Sequence, residues 1–302
     1  MNRIARLYRS LIVTAIFAGA AGLADAAPER FRDLSVEVVG QGRPLLMIPG
    51  LNSSAETWRE TCAALQADRI QCHLVQLPGF AGAPAAKNAD FLPSMRDQVL
   101  AYVRERGLER PAVVGHSLGG ALALQMSMAA PETVGPLVIV DSLPFFAAAM
   151  NPAATADAVR PMATAMRTQM LAADEAAYAR NAEAAMRGMT RDAARTETLK
   201  AWGRASDRAT TAQAMYELMV TDLRPELPKV KSPTLVLGAW AAYAPMGSTR
   251  ASTESIFRTQ YAGLEGVRIA MSEGGYHFLM WDDPTWVQSN IRDFLAAHPQ
   301  AR

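Results

Sequence analysis

The chain has 302 residues, 50% of them hydrophobic, with 30 basic and 29 acidic side chains and a formal net charge of +1. That length suits one large α/β domain carrying an insertion. The near-neutral balance leaves no electrostatic footprint for nucleic acid or for an anionic membrane surface.

Residues 1–26 are set aside first. Arg3, Arg6 and Arg9 form a basic start, 11–23 is almost wholly apolar or small, and Ala24-Asp25-Ala26 supplies an A-x-A cleavage site. This pattern predicts a secretory signal peptide and a periplasmic or secreted mature protein. An uncleaved anchor is the alternative, but the apolar stretch is short for a membrane span. Removing 1–26 takes away three arginines and one aspartate, so the charge moves from +1 to −1. No second long apolar span follows, so no stable membrane span is expected after cleavage.

From there the pattern alternates. Residues 34–39 read as an early strand, ended by Gly40-Gln41-Gly42. The continuous apolar run 45–48 predicts a strand buried on both faces, stopped by Pro49-Gly50. Ser53 and Ser54 are N-cap candidates for a helix running to Leu65. A strand is predicted over 70–77 and a helix over 91–106, followed by the apolar run 111–114. Residues 137–140 form another buried strand, ending at Asp141. Cys62 and Cys72 fall in the expected helix and in the strand after it. An exported compartment permits a disulfide between them; two buried free thiols fit the sequence equally. Their spacing, without a nearby histidine pair, is no zinc-ligand pattern.

Between 143 and 227 the strand signal disappears, and alanine, methionine and arginine recur at helical spacing. Strands return at 234–238 and 267–271, with a helix near 253–261 between them. A last helix over 283–297 has Asp283 as N-cap and Pro284 at its first position. Alternating strands and helices imply a mainly parallel sheet flanked by helices. The expected organisation is a signal peptide at 1–26, an α/β core at 27–142 and 228–302, and a helical cap insertion at 143–227. The cap's methionines, among them Met150, Met162, Met186, Met189 and Met219, are candidates for an adaptable apolar pocket or for plain packing.

The chemistry centres on Gly115-His116-Ser117-Leu118-Gly119, a G-x-S-x-G turn between a strand and an apolar helix. There the serine takes a strained conformation, and side chains two residues to either side would collide. A serine hydroxyl needs an adjacent base. Of the four histidines, His116 sits inside the turn with its side chain expected to point away, His73 is mid-strand and His298 is in the tail. His277, in Gly274-Gly275-Tyr276-His277-Phe278, lies in a glycine-rich loop between the last strand and the final helix.

The element order, the turn and this loop resemble the α/β-hydrolase superfamily across most of the mature chain. The resemblance implies an α/β-hydrolase fold in which Ser117 is the nucleophile and His277 the general base and acid. Many members carry the acid after the penultimate strand, but 238–246 here holds no carboxylate. Others carry it at the end of the strand after the nucleophile, which here is Asp141. Glu254 is the runner-up; Asp282 lies close to His277 in sequence, and Asp283 reads more simply as a cap. The oxyanion donors are expected to be the backbone N–H groups of Leu51 and Leu118. Phe145 and Phe146 follow Asp141 and are candidates for the substrate pocket. Gln76 stands where the family's D-x-P-G stretch has aspartate and reads as structural.

The expected function is cleavage of an ester, lactone or thioester of a small apolar acyl substrate through an acyl-enzyme. It needs no metal or organic cofactor. Alternatives are a lyase or peroxidase-like member of the superfamily, and a non-catalytic binding protein of the same fold. Acyl length, leaving group and oligomeric state are not written in the sequence.

Overall fold

The computed structural model describes residues 27–299, so the signal-peptide expectation for 1–26 lies outside the described residues. Eight strands form one sheet: β1 (Glu29–Phe31), β2 (Leu34–Val39), β3 (Arg43–Ile48), β4 (Ile70–Gln76), β5 (Ala112–His116), β6 (Leu137–Val140), β7 (Thr234–Gly238) and β8 (Arg268–Met271). Their spatial order is β1-β2-β4-β3-β5-β6-β7-β8. β2 pairs antiparallel with β1 and β4, and β3 to β8 pair in parallel.

The continuous apolar runs follow from burial on both faces. Side chains alternate across a strand. In β3, Leu46 and Ile48 join one core while Leu45 and Met47 join the other. β6 divides in the same way, Leu137 and Ile139 against Val138 and Val140. The first core is closed by α2 (Phe91–Glu105), α3 (Leu118–Ala129) and α8 (Arg250–Gln260), the second by α1 (Arg59–Leu65) and α10 (Pro284–Ala297). α3 is apolar almost all round, as a helix buried on every side must be. Ser54 accepts from Glu56 N–H at the start of a 3-10 turn, Ala55–Trp58, which leads into α1. Cys62 of α1 and Cys72 of β4 are joined by a disulfide, with their Cα atoms 6.0 Å apart.

Between β6 and β7 the chain runs through α4 (Ala156–Ala172), α5 (Glu175–Ala185), α6 (Ala193–Ala205) and α7 (Arg208–Val220). These helices stand over the carboxyl ends of the parallel strands. Asp207 N–H donates to Gly79 O after β4 (2.7 Å), and Thr211 Oγ1 donates to Asn52 Oδ1 after β3 (2.7 Å). The cap methionines form no single pocket: Met150 and Met162 face solvent, Met219 is buried, and Met186 and Met189 pack on the second core.

Candidate active site

Ser117 follows β5 directly and precedes α3, with φ 52° and ψ −118°. Such a backbone costs about 1–3 kcal/mol and persists only where its surroundings impose it. Here they do. A Cβ on Gly115 would lie 2.2 Å from Gly119 O, and one on Gly119 would lie 2.4 Å from Ile48 O. Ser117 N–H donates to Val140 O (3.0 Å), which ties the turn to the end of β6.

Asp141 directly follows that strand, also at positive φ (44°). Its Oδ2 lies 2.6 Å from His277 Nδ1. Its Oδ1 accepts from Ala239 N–H (2.8 Å), the first residue after β7. The loop that lacks a carboxylate thus supplies a backbone donor to the carboxylate one strand away. Because an ionised carboxylate only accepts, Nδ1 of His277 carries the proton and Nε2 is left bare as a base. Both side chains are largely buried, 21% exposed for His277 and 10% for Asp141. Tyr261, whose hydroxyl donates to Ser142 O (2.8 Å), has its pKa raised by burial and then by the Asp141 charge. The same two causes, in the same order, raise Tyr243. Among the described residues no hydrogen bond closes Ser117 Oγ onto His277.

The other carboxylates are occupied elsewhere. Asp282 accepts from Thr190 Oγ1 (2.6 Å), Arg191 N–H (3.1 Å) and Tyr276 N–H (2.9 Å), pinning the His277 loop to the cap. Glu254 pairs with Arg250 and Arg258. Asp283 holds the N-cap position of α10 but makes no side-chain cap; its carboxylate accepts from Ser272 Oγ (2.8 Å) instead.

Leu118 N–H opens α3 and has no acceptor within the helix. Leu51 N–H, in the turn after β3, likewise donates to none of the described residues. The sequence placed both as oxyanion donors, and both are unspent. Gln76 is structural: its Oε1 accepts from Ala55 N–H (2.9 Å), and its Nε2 donates to Leu77 O and Phe80 O.

Two expectations are corrected. Phe145 is fully buried, packed with Ala148 and Ala154 beneath the Arg224 guanidinium, so it presents no surface to a substrate. The 3-10 turn Phe146–Ala149 starts immediately after it, which sends the two rings apart; Phe146 is 54% exposed. His116 does not point away from the base: its ring centroid is 4.5 Å from that of His277. Nothing local in the sequence announces this contact, which spans 161 residues. A cavity of about 650 Å³ between α2, α4 and α7, lined by Phe91, Met95, Arg167 and Thr210, does not include Ser117, Asp141 or His277 in its wall.

The model of the alpha/beta hydrolase family matches residues 45–288. A pimeloyl-acyl-carrier protein methyl ester esterase of Aeromonas hydrophila subsp. hydrophila is 36% identical over 116 residues, 38% of this chain and 44% of that protein. The alignment therefore spans less than half of that relative. The enzyme of the same name from Edwardsiella ictaluri is 31% identical over 206 residues, 64% of this chain and 72% of the relative. Among solved structures, the enol-lactonase from Burkholderia xenovorans superposes with a TM-score of 0.70 at 16% identity, covering 87% of this chain and 96% of that one. At that identity it shows the fold alone.

Proposed function

Because the chain belongs to the alpha/beta hydrolase family, we propose that it is an exported serine esterase. It would act on an ester or related acyl bond, such as a lactone or thioester, of a small apolar substrate. The observation that carries this reading is the Asp141–His277 hydrogen bond of 2.6 Å, beside a serine held at φ 52°. In the reaction, His277 Nε2 takes the Ser117 hydroxyl proton as Oγ attacks the acyl carbon. The new oxyanion is held by the N–H groups of Leu51 and Leu118; losing one such donor costs about 3 kcal/mol of transition-state stabilisation. His277 then protonates the departing alcohol, leaving the acyl group on Ser117. A water activated by the same Nε2 releases the acid. Asp141 holds the imidazole in its Nδ1–H form and stabilises the imidazolium.

The ester-cleaving names of the relatives support the reaction class. Export is supported by the basic, apolar and A-x-A pattern of 1–26 and by the disulfide, which belongs to oxidising compartments. The test is fluorophosphonate labelling of the mature protein with peptide mass spectrometry. One adduct on Ser117 is expected, absent in Ser117→Ala and in His277→Ala, together with hydrolysis of p-nitrophenyl esters. Folded protein that takes no label and cleaves no ester would sink the reading in favour of a non-catalytic binding protein.

A further inference from the structure

His116 is the last residue of β5, next to the nucleophile, and is 1% exposed. Its Nε2 lies 3.0 Å from the backbone oxygen of His277. A carbonyl oxygen only accepts, so Nε2 of His116 carries the hydrogen and Nδ1 is bare. Nδ1 is buried with no hydrogen-bond partner among the described residues. Gly50 closes over it: a Cβ there would sit 3.0 Å from Nδ1 and 3.1 Å from Ser117 Cβ. The ring packs against His277 at 4.5 Å and against Phe278 at 4.6 Å between centroids.

We propose that His116 is a positioning residue for the general base, clamping the His277 carbonyl to the strand that carries Ser117. This rests on the esterase reading above. The His277 loop has other anchors. Phe278 N–H donates to Met189 O (2.9 Å), Tyr276 N–H donates to Asp282, and Asp141 holds the imidazole. The first two tie the loop to the cap or to itself, and Asp141 follows β6. Of the described anchors, only the His116 one comes from the residue adjoining the nucleophile. Any shift of the β5 end therefore moves Ser117 and the backbone of His277 together. That couples the two atoms between which the proton must pass.

The choice of histidine has a physical reason. The clamp needs a donor that is uncharged, because His277 becomes an imidazolium during the reaction and a neighbouring cation would oppose it. Burial, and then the neighbouring His277, hold the His116 pKa well below the ordinary histidine value, which keeps the ring neutral. A flat ring also fills the space under Gly50 and against Phe278, which lysine or arginine would not.

Two variants separate clamp from filler. His116→Phe keeps a buried ring and removes the donor; His116→Gln returns an amide donor at comparable reach. The phenylalanine variant should lose on the order of 10- to 100-fold in kcat with KM changed less than about 2-fold, as for a base displaced by a fraction of an ångström. Glutamine should restore most of kcat. Wild-type kcat in His116→Phe, or equal impairment in both variants at matched Tm, overturns the proposal. A second measurement needs neither activity nor a variant. With ring-labelled histidine, the nitrogen–proton correlation of His116 in the native protein at neutral pH should show the Nε2–H tautomer. An Nδ1–H ring or an imidazolium there overturns the clamp whether or not the protein cleaves esters. A wild type that neither labels nor hydrolyses, yet shows Nε2–H, would sink the esterase reading while the loop anchor stands.

Discussion

A carboxylate accepts hydrogen bonds and donates none, and at Asp141 this decides where the site's protons lie. One oxygen takes the Ala239 amide and the other takes His277 Nδ1–H, so the lone pair of the imidazole is turned out at Nε2. Asparagine at 141 would keep its carbonyl on Ala239 N–H and present an amide donor to His277. The ring would then have to bare Nδ1 and protonate Nε2, which disarms the base without disturbing the fold. We expect Asp141→Asn to lower kcat/KM toward p-nitrophenyl esters by about 10³- to 10⁴-fold, the scale known for this change in a serine triad. Its Tm should stay close to wild type. A variant within about tenfold of wild type would remove Asp141 from the base's support. The placement of Ser117 between a strand and a helix, and of His277 in the loop after the last strand, was readable because each sits in a short glycine-containing motif between elements of opposite type. Asp141 was readable only through its place at a strand end. Phe145 was misread because adjacency to Asp141 in sequence does not survive the 3-10 turn that follows.

At the scale of elements, the central strands were legible because burial on both faces leaves nothing but apolar residues, as in 45–48 and 137–140. β1, three residues carrying Glu29 and Arg30, offers no such pattern, and α9 (Leu279–Asp282) is too short to show a period. The start of α8 was missed because its capping box uses Thr249 and Ser252, where the familiar pattern has glutamate or glutamine at the second place. Long-range caps were invisible for a related reason. Asp90 stands at the N-cap of α2 but makes no side-chain cap. Glu217 of α7 does that work from across the fold, accepting from Phe91 N–H (2.7 Å) and Leu92 N–H (2.6 Å). Gln213 Nε2 donates to the same carboxylate (2.7 Å) from a half-buried position, while Phe91, Leu92 and Glu217 are buried. This bond pair fastens the last cap helix to the core, nearly two turns beyond the Thr211–Asn52 contact beside Leu51. Glu217→Ala strands two buried amides at a helix N-terminus, at about 1–3 kcal/mol each. Urea denaturation should show a loss of about 2–5 kcal/mol with an unchanged m-value. A loss under about 0.5 kcal/mol, the scale of an ordinary surface substitution, would mean that the cap is held without it.

For the molecule as a whole, the Cys62–Cys72 disulfide links the export expectation to stability. It closes a short loop, ten residues of separation, between α1 and β4 on the second core. A loop of that size removes roughly 3 kcal/mol of chain entropy from the unfolded state. Against a total stability of about 5–15 kcal/mol, that is a large share. The two bonded sulfurs lie deep in the core, Cys62 1% and Cys72 0% exposed, so in the folded protein they meet reductants only on opening. The bond must therefore form during folding, in the compartment where the chain folds. Protein recovered from an oxidising compartment should resist alkylation by iodoacetamide until it is both unfolded and reduced. The double variant Cys62→Ser/Cys72→Ser, which leaves no stray thiol, should lose roughly 6–12 °C in Tm. Its kinetics toward p-nitrophenyl esters at room temperature should be unchanged, since the bridge joins α1 to β4 and neither element carries Ser117, Asp141 or His277. Protein unfolded without reductant that alkylates on both cysteines would show the bond absent, and with it one of the two supports for export. A double variant as stable as wild type would instead mean that α1 and β4 are already held by their packing, leaving the bridge as a mark of the compartment alone.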